Sequence, residues 1–191
     1  MRMELRVSVW SACAQLFVCC FVLHATTLQR MSLQRMIQAA QVIVRARCVS
    51  NHSLWDSGEI WTDTTFTAEE AWKGTPAKEV RGTFNTRLLG GTIGALTSHV
   101  SGVPRFRPGE DVLIFLQPTS HGDLSVVGWM QGTFRIRRDS HNGKETVTQD
   151  TAAFDTFDPQ TRRFEATGIR NMSLSLFRQQ VATAVAHGGA Q

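Results

Sequence analysis

The chain has 191 residues, 42% hydrophobic and 19% charged, with 20 basic against 16 acidic residues and a net charge of +4. That length and apolar share suffice for one domain with its own core, and no low-complexity segment or domain linker interrupts it. The positive excess is mild and no run of five like charges occurs, so the basic patch or stripe of a nucleic-acid binder is missing.

Residues 7–25 form an uncharged apolar run, preceded by Arg2 and Arg6 and followed by Thr26 and Thr27. A basic start, an apolar stretch and a small residue at its end compose a secretory signal. The expectation is a signal peptide over residues 1–25 and export to the periplasm or the extracellular space, with a mature domain over residues 26–191. An uncleaved anchor ranks second, because the run only reaches the lower limit of a span, roughly 17 residues, and contains Ser11 and Gln15. A lipoprotein signal ranks third, since Phe17-Val18 before Cys19 are not small. Membrane contact is therefore expected only through an uncleaved signal. Cleavage removes Arg2, Glu4 and Arg6, leaving 18 basic against 15 acidic residues. It also removes Cys13, Cys19 and Cys20, so Cys48 is the single mature thiol and the domain is held by burial rather than an internal disulfide.

Ser32 caps a short helix in which Leu33, Met36, Ile37 and Ala40 recur at helical spacing. The period then falls to two. Val42, Val44, Ala46 and Cys48 form the buried face of a strand, with turn residues over 51–58. A longer strand follows, carrying Ile60, Thr62, Thr64, Phe66 and Ala68 on one face and ending at Trp72-Lys73-Gly74. Val80, Gly82 and Phe84 suggest a third strand. Residues 88–102 read as a long loop. Pro108-Gly109 turns the chain into a continuous apolar strand, residues 111–116, expected to be central. His121-Gly122-Asp123 leads to a strand over 124–127. Residues 133–137 follow with Phe134 and Ile136 inward, and Asn142-Gly143 marks a hairpin returning through residues 145–149. Residues 150–172 read as irregular, and a helix over 173–187 closes the chain, stopped by Gly188. Strands joined mostly by short turns predict a mainly β fold: an antiparallel OB-like β-barrel with a short N-terminal and a C-terminal helix.

Residues 39–50, Ala-Ala-Gln-Val-Ile-Val-Arg-Ala-Arg-Cys-Val-Ser, then a turn, a long strand and Trp72-Lys73-Gly74, resemble the opening of the OB-fold netrin-like domains. Tissue inhibitors of metalloproteinases belong to that group. Residues 103–110 with the following apolar strand, and residues 128–134, resemble uncharacterised bacterial exported proteins. The first resemblance implies an OB-like barrel. It does not bring the inhibitory mechanism, in which an N-terminal cysteine chelates the protease zinc, because no cysteine precedes Cys48 after cleavage.

No catalytic constellation assembles. Cys48 falls on a buried strand face, and the mature histidines His52, His99, His121, His141 and His187 lack metal-ligand spacing. There is no nucleophile elbow, and Glu69-Glu70 point to opposite sides of a strand. Gly90-Gly91-x-x-Gly94 lacks the Lys-Ser/Thr ending of a phosphate loop. No metal or cofactor is expected. The candidate binding surface is the segment 87–107, with Arg87, Gly90, Gly91, Thr92, His99, Arg105, Phe106 and Arg107. Its glycines admit close approach, and two arginines flank an aromatic ring. The alternative is that Ile93, Leu96, Val100 and Val103 tuck this segment over the barrel mouth as a lid. The expected function is an exported, non-catalytic binding module for an unknown protein or envelope component. An inhibitor of an extracytoplasmic protease comes second and an enzyme with an unrecognised site third.

Overall fold

The structure, a computed structural model, describes residues 28–76, 82–119, 122–153, 155–166 and 168–188. The expected signal over residues 1–25, the start at Thr26, and Val80 and His121 lie outside them. Helix α1 (Leu33–Ala39) begins where Ser32 Oγ accepts the Arg35 backbone N–H at 3.2 Å, and it buries Met36 and Ile37.

Strands β1 (Val42–Asp56) and β2 (Glu59–Lys73) form a long antiparallel hairpin. Its turn is only Ser57-Gly58, with φ of 52° and 83°. Two positive φ values match the right-handed twist of the flanking strands, so the strand runs on through the expected turn residues 51–56. Strand β3 (Thr83–Leu89) pairs with β2. Within the expected long loop, β4 (Gly91–Ile93) and β5 (Leu96–Ser98) make a small hairpin of their own.

Strand β6 (Asp111–Pro118) buries Val112, Leu113, Ile114, Phe115 and Leu116 completely. Each is worth roughly 1.5–3 kcal/mol relative to exposure, enough to place this strand at the centre. One of its edges pairs with β1; the other carries β7 (Leu124–Val126) and then β8 (Thr133–Arg138), joined by a 3-10 turn, Trp129–Gly132. Strand β9 (Glu145–Gln149) extends the sheet from β8. The expected irregular segment holds another 3-10 turn (Asp150–Ala153), a β10 (Thr156–Asp158) and β11 (Arg163–Glu165) hairpin, and β12 (Met172–Ser173) against β9. Helix α2 (Leu174–Gly188) follows.

The fold is thus mainly β, a large mixed sheet with two helices. The expectation of an all-antiparallel sheet is corrected at one place: β3 and β7 run parallel, meeting at Thr86 and Leu124. The strand order is β1-β2-β3-β7-β6-β8-β9-β12, and β1 also pairs with β6. Register shifts near Ile43, Arg45 and Cys48 bend β1 so that it serves both neighbours.

Both faces of β1 and β6 are buried, which the period-two reading of β1 did not anticipate. Val42, Val44, Ala46, Cys48, Val112, Ile114 and Leu116 enter one core with Phe66, Phe84 and Phe106. Ile43, Leu113 and Phe115 enter a second core against Met36, Phe134 and Phe177, under the two helices. Cys48 is 1% exposed in the first core, as its strand position predicts.

Candidate functional site

The segment 87–107 does not come together as one surface. Arg87 lies on β3 and donates to both Asp63 oxygens at 2.8 and 3.0 Å and to Asp56 at 3.2 Å. The bond to Asp63 raises its already high pKa, so it stays charged and committed to that partner. Phe106 is 5% exposed, packed edge-on against Phe66 at 4.9 Å, and its ring is core rather than contact surface. Val103 is buried beside it and Val100 packs on the same core. His99, Arg105 and Arg107 are exposed. Arg105 donates to the Ser98 carbonyl at 2.8 Å, fastening β5 to the following stretch.

Gly90, Gly91 and Thr92 sit on a polar seam between the small hairpin and the β1–β2 face. Thr62 Oγ1 donates to the Gly90 carbonyl at 2.6 Å, so at its 3.0 Å contact with Ser53 it accepts the Ser53 hydroxyl. Ser53 Oγ in turn accepts the Thr92 backbone N–H at 3.3 Å. Proton order therefore runs one way, from Thr92 through Ser53 and Thr62 to Gly90. Beside it, Thr64 donates to Asn51 Oδ1 at 2.8 Å and Asn51 Nδ2 donates to the Phe106 carbonyl at 2.7 Å. A cleft of about 200 Å³ remains there. Its polar groups are satisfied within the chain, which makes this seam a latch.

A larger opening lies at the β1–β2 turn, where the β6–β7 turn approaches it. The cleft, about 610 Å³, is lined by Asp56 and Glu59 flanking the first turn, Trp61 and Arg87 of the sheet, Asp123 just before β7, and Trp129. A second cleft of about 640 Å³, lined by Gln117, Gly102, Met130, Asp155 and Phe164, meets it at Ser125 and Trp129. Of the segment 87–107, Arg87 alone among the expected contacts reaches this groove.

Trp129 is held rigidly. It has φ of 55° directly after Gly128 at 56°, a conformation that is strained for a bulky residue. The 3-10 turn over-determines it: Gln131 N–H donates to the Gly128 carbonyl and Met130 N–H to the Gly102 carbonyl, both at 3.0 Å. A Cβ on Gly102 would stand 3.4 Å from the Trp129 ring, so the indole lies flush on that backbone. Buried Gln131 accepts the Met31 N–H at 2.6 Å and donates to the Gln29 carbonyl at 2.8 Å, pinning residues 29–31 beside the turn. Neither Trp61 nor Trp129 was among the residues expected to contact a partner. The missed signal is a tryptophan flanked by glycines between two strands.

Other reactive groups are engaged elsewhere. Glu69 pairs with Arg45 at 3.2 Å and Arg47 at 3.0 Å, and Glu70 with Arg178, so the adjacent carboxylates serve different partners. Arg135 joins Glu110 and Asp150 and lies 4.9 Å over the Phe106 ring. His52, expected in a turn, sits on β1 opposite Asp63. Among the described residues, no three His, Cys, Asp or Glu side chains gather to hold a metal ion, and no helix is long and apolar enough to cross a membrane. No protein-family model, curated protein or solved structure matches the chain.

Proposed function

We propose that the protein is an exported, non-catalytic binding module built on an OB-like strand ring, and that it receives its partner in the Trp61–Trp129 cleft. The strand order supports the ring: β1-β2-β3-β7-β6 returns to β1 through the β1–β6 pairing, with one long bent strand serving two neighbours. Barrels of this kind bind at the face of their second and third strands, between the first turn and the turn before the last strand. The observation that carries the reading is that the 610 Å³ cleft falls between those two turns and holds two half-buried indoles. Its volume lies in the range of ligand sites.

This reading moves the contact surface from residues 87–107 to the cleft, keeping Arg87 and giving the 90–106 stretch the role of latch. Immobilised mature domain is the test, challenged with envelope extract and culture medium of its source. The expected result is a retained component that Trp61→Ala releases and that Arg105→Ala with Arg107→Ala leaves bound. Retention lost in the arginine pair and kept in Trp61→Ala overturns the cleft in favour of the loop.

A further inference from the structure

The two clefts that meet at Trp129 form one groove with an aromatic ring in each part and one at the junction. Trp61 lies in the first, Trp129 at the shared wall, and Phe164 in the second. Phe164 is 61% exposed on the β10–β11 hairpin, and its ring is steadied by Phe157 at 5.3 Å. One exposed ring, Phe164, and two half-buried indoles, Trp61 and Trp129, set among polar side chains suit a ligand with repeated apolar faces and hydroxyl edges. A chain of sugar rings has that character: each ring offers C–H groups to an aromatic face and hydroxyls to carboxylates, amides and serines.

The charge of the groove narrows the class. Asp56, Glu59, Asp123 and Asp155 line it against a single cation, Arg87, which pairs with Asp63 and Asp56, so carboxylates remain in excess. Such a wall repels polyanions, including nucleic acids and acidic glycans. A peptide strand would seek an open sheet edge. Strand β7, which contributes Ser125 to both clefts, is paired to β3 on one side and to β6 on the other. We infer that the groove takes a neutral oligosaccharide, its rings stacked on Trp61, Trp129 and Phe164. The inference rests on the binding reading above and adds the class of ligand.

Titration calorimetry of the mature domain tests it with four probes: a neutral β-1,4-linked glucose hexamer, a β-1,4-linked N-acetylglucosamine hexamer, a sulfated glycan of similar length, and hexalysine. At least one uncharged hexamer should bind, the corresponding disaccharide more weakly, and the sulfated glycan not at all. Trp61→Ala and Phe164→Ala should each weaken that binding at least about tenfold, and Phe164→Ala should leave the melting temperature unchanged. Hexalysine binding that Trp61→Ala abolishes, with neither hexamer bound, overturns the glycan class while keeping the cleft. Equal binding of the sulfated glycan overturns the charge argument. No heat from any probe, together with no Trp61-dependent capture of an envelope component, overturns both readings.

Discussion

At the scale of single residues, environment sets which groups can react. Cys48 is the clearest case: burial pushes its thiol pKa up, with Glu110 adding to the shift. The expected outcome is no labelling by a thiol reagent in native buffer and rapid labelling in denaturant. Fast native labelling would contradict the register of β1. The Arg45 guanidinium holds the Glu145 carboxyl below its ordinary value, at contacts of 3.0 and 2.9 Å. A depressed folded pKa contributes stability that is complete above the unfolded value, about 4.3, and is lost as pH falls through the folded one. Glu145→Gln should therefore lower stability at neutral pH and flatten the acid limb of a melting-temperature profile. A limb as steep as that of the wild type would show the pair contributes nothing there. Both readings follow from partners that β6 and β9 bring to β1, and only the burial of Cys48 was legible from alternation. The Arg45–Glu145 contact spans a hundred residues, and nothing in local spacing encodes it.

At the scale of elements, the hairpin over residues 91–98 is a latch whose fit depends on one glycine. A Cβ at Gly91 would stand 2.5 Å from Ser53 Oγ and closer still to Thr62 Oγ1, inside the hydroxyl chain. At Gly94 it would meet nothing within 4 Å, although φ is 58°. Gly91→Ala should cost about 2 kcal/mol or more and Gly94→Ala about 1 kcal/mol, measured by urea unfolding. Equal small losses would mean the seam does not hold the segment. Gln131→Ala removes one amide that satisfies two backbone groups of residues 29–31, at about 1–3 kcal/mol for each group left unsatisfied. It should leave the sheet intact and open the start of the described chain to proteolysis; unchanged protease resistance would contradict that role.

Elements with strong periodicity were legible in the sequence: both helices, the β1–β2 pair, the apolar β6 and the β8–β9 hairpin. The β4–β5 hairpin was not, because its strands are three residues long and its glycines read as loop. The extent of β1 was missed for a related reason. Asn, Ser and Asp favour turns locally, yet in residues 51–56 they face β2 partners along the hairpin and Asn51 spends its amide on the Phe106 carbonyl.

At the scale of the whole molecule, two cores share the same two strands, and that sharing defines where a site can form. The second core is closed by the helices, whereas the far end of the large sheet, beyond Leu88 and Leu124, opens between two turns. Alternation predicted one inside face of β1, Val42, Val44, Ala46 and Cys48, and missed the burial of Ile43 on the other. It could not predict the parallel meeting of Thr86 with Leu124, which brings β3 beside β7 and so sets Arg87 and Trp61 in one cleft with Trp129. The groove is therefore a product of topology, and its residues lie apart in the sequence with no motif to connect them.

The most direct test of the cleft is the set of indole N–H resonances of isotope-labelled mature domain, recorded with and without the component eluted from the immobilised protein. Trp72 packs against Phe177 under helix α2 and serves as an internal reference. Trp61 and Trp129 should shift together on addition while Trp72 stays still. Binding that moves the amides of His99 and Arg105 and leaves both Trp61 and Trp129 in place would contradict the account.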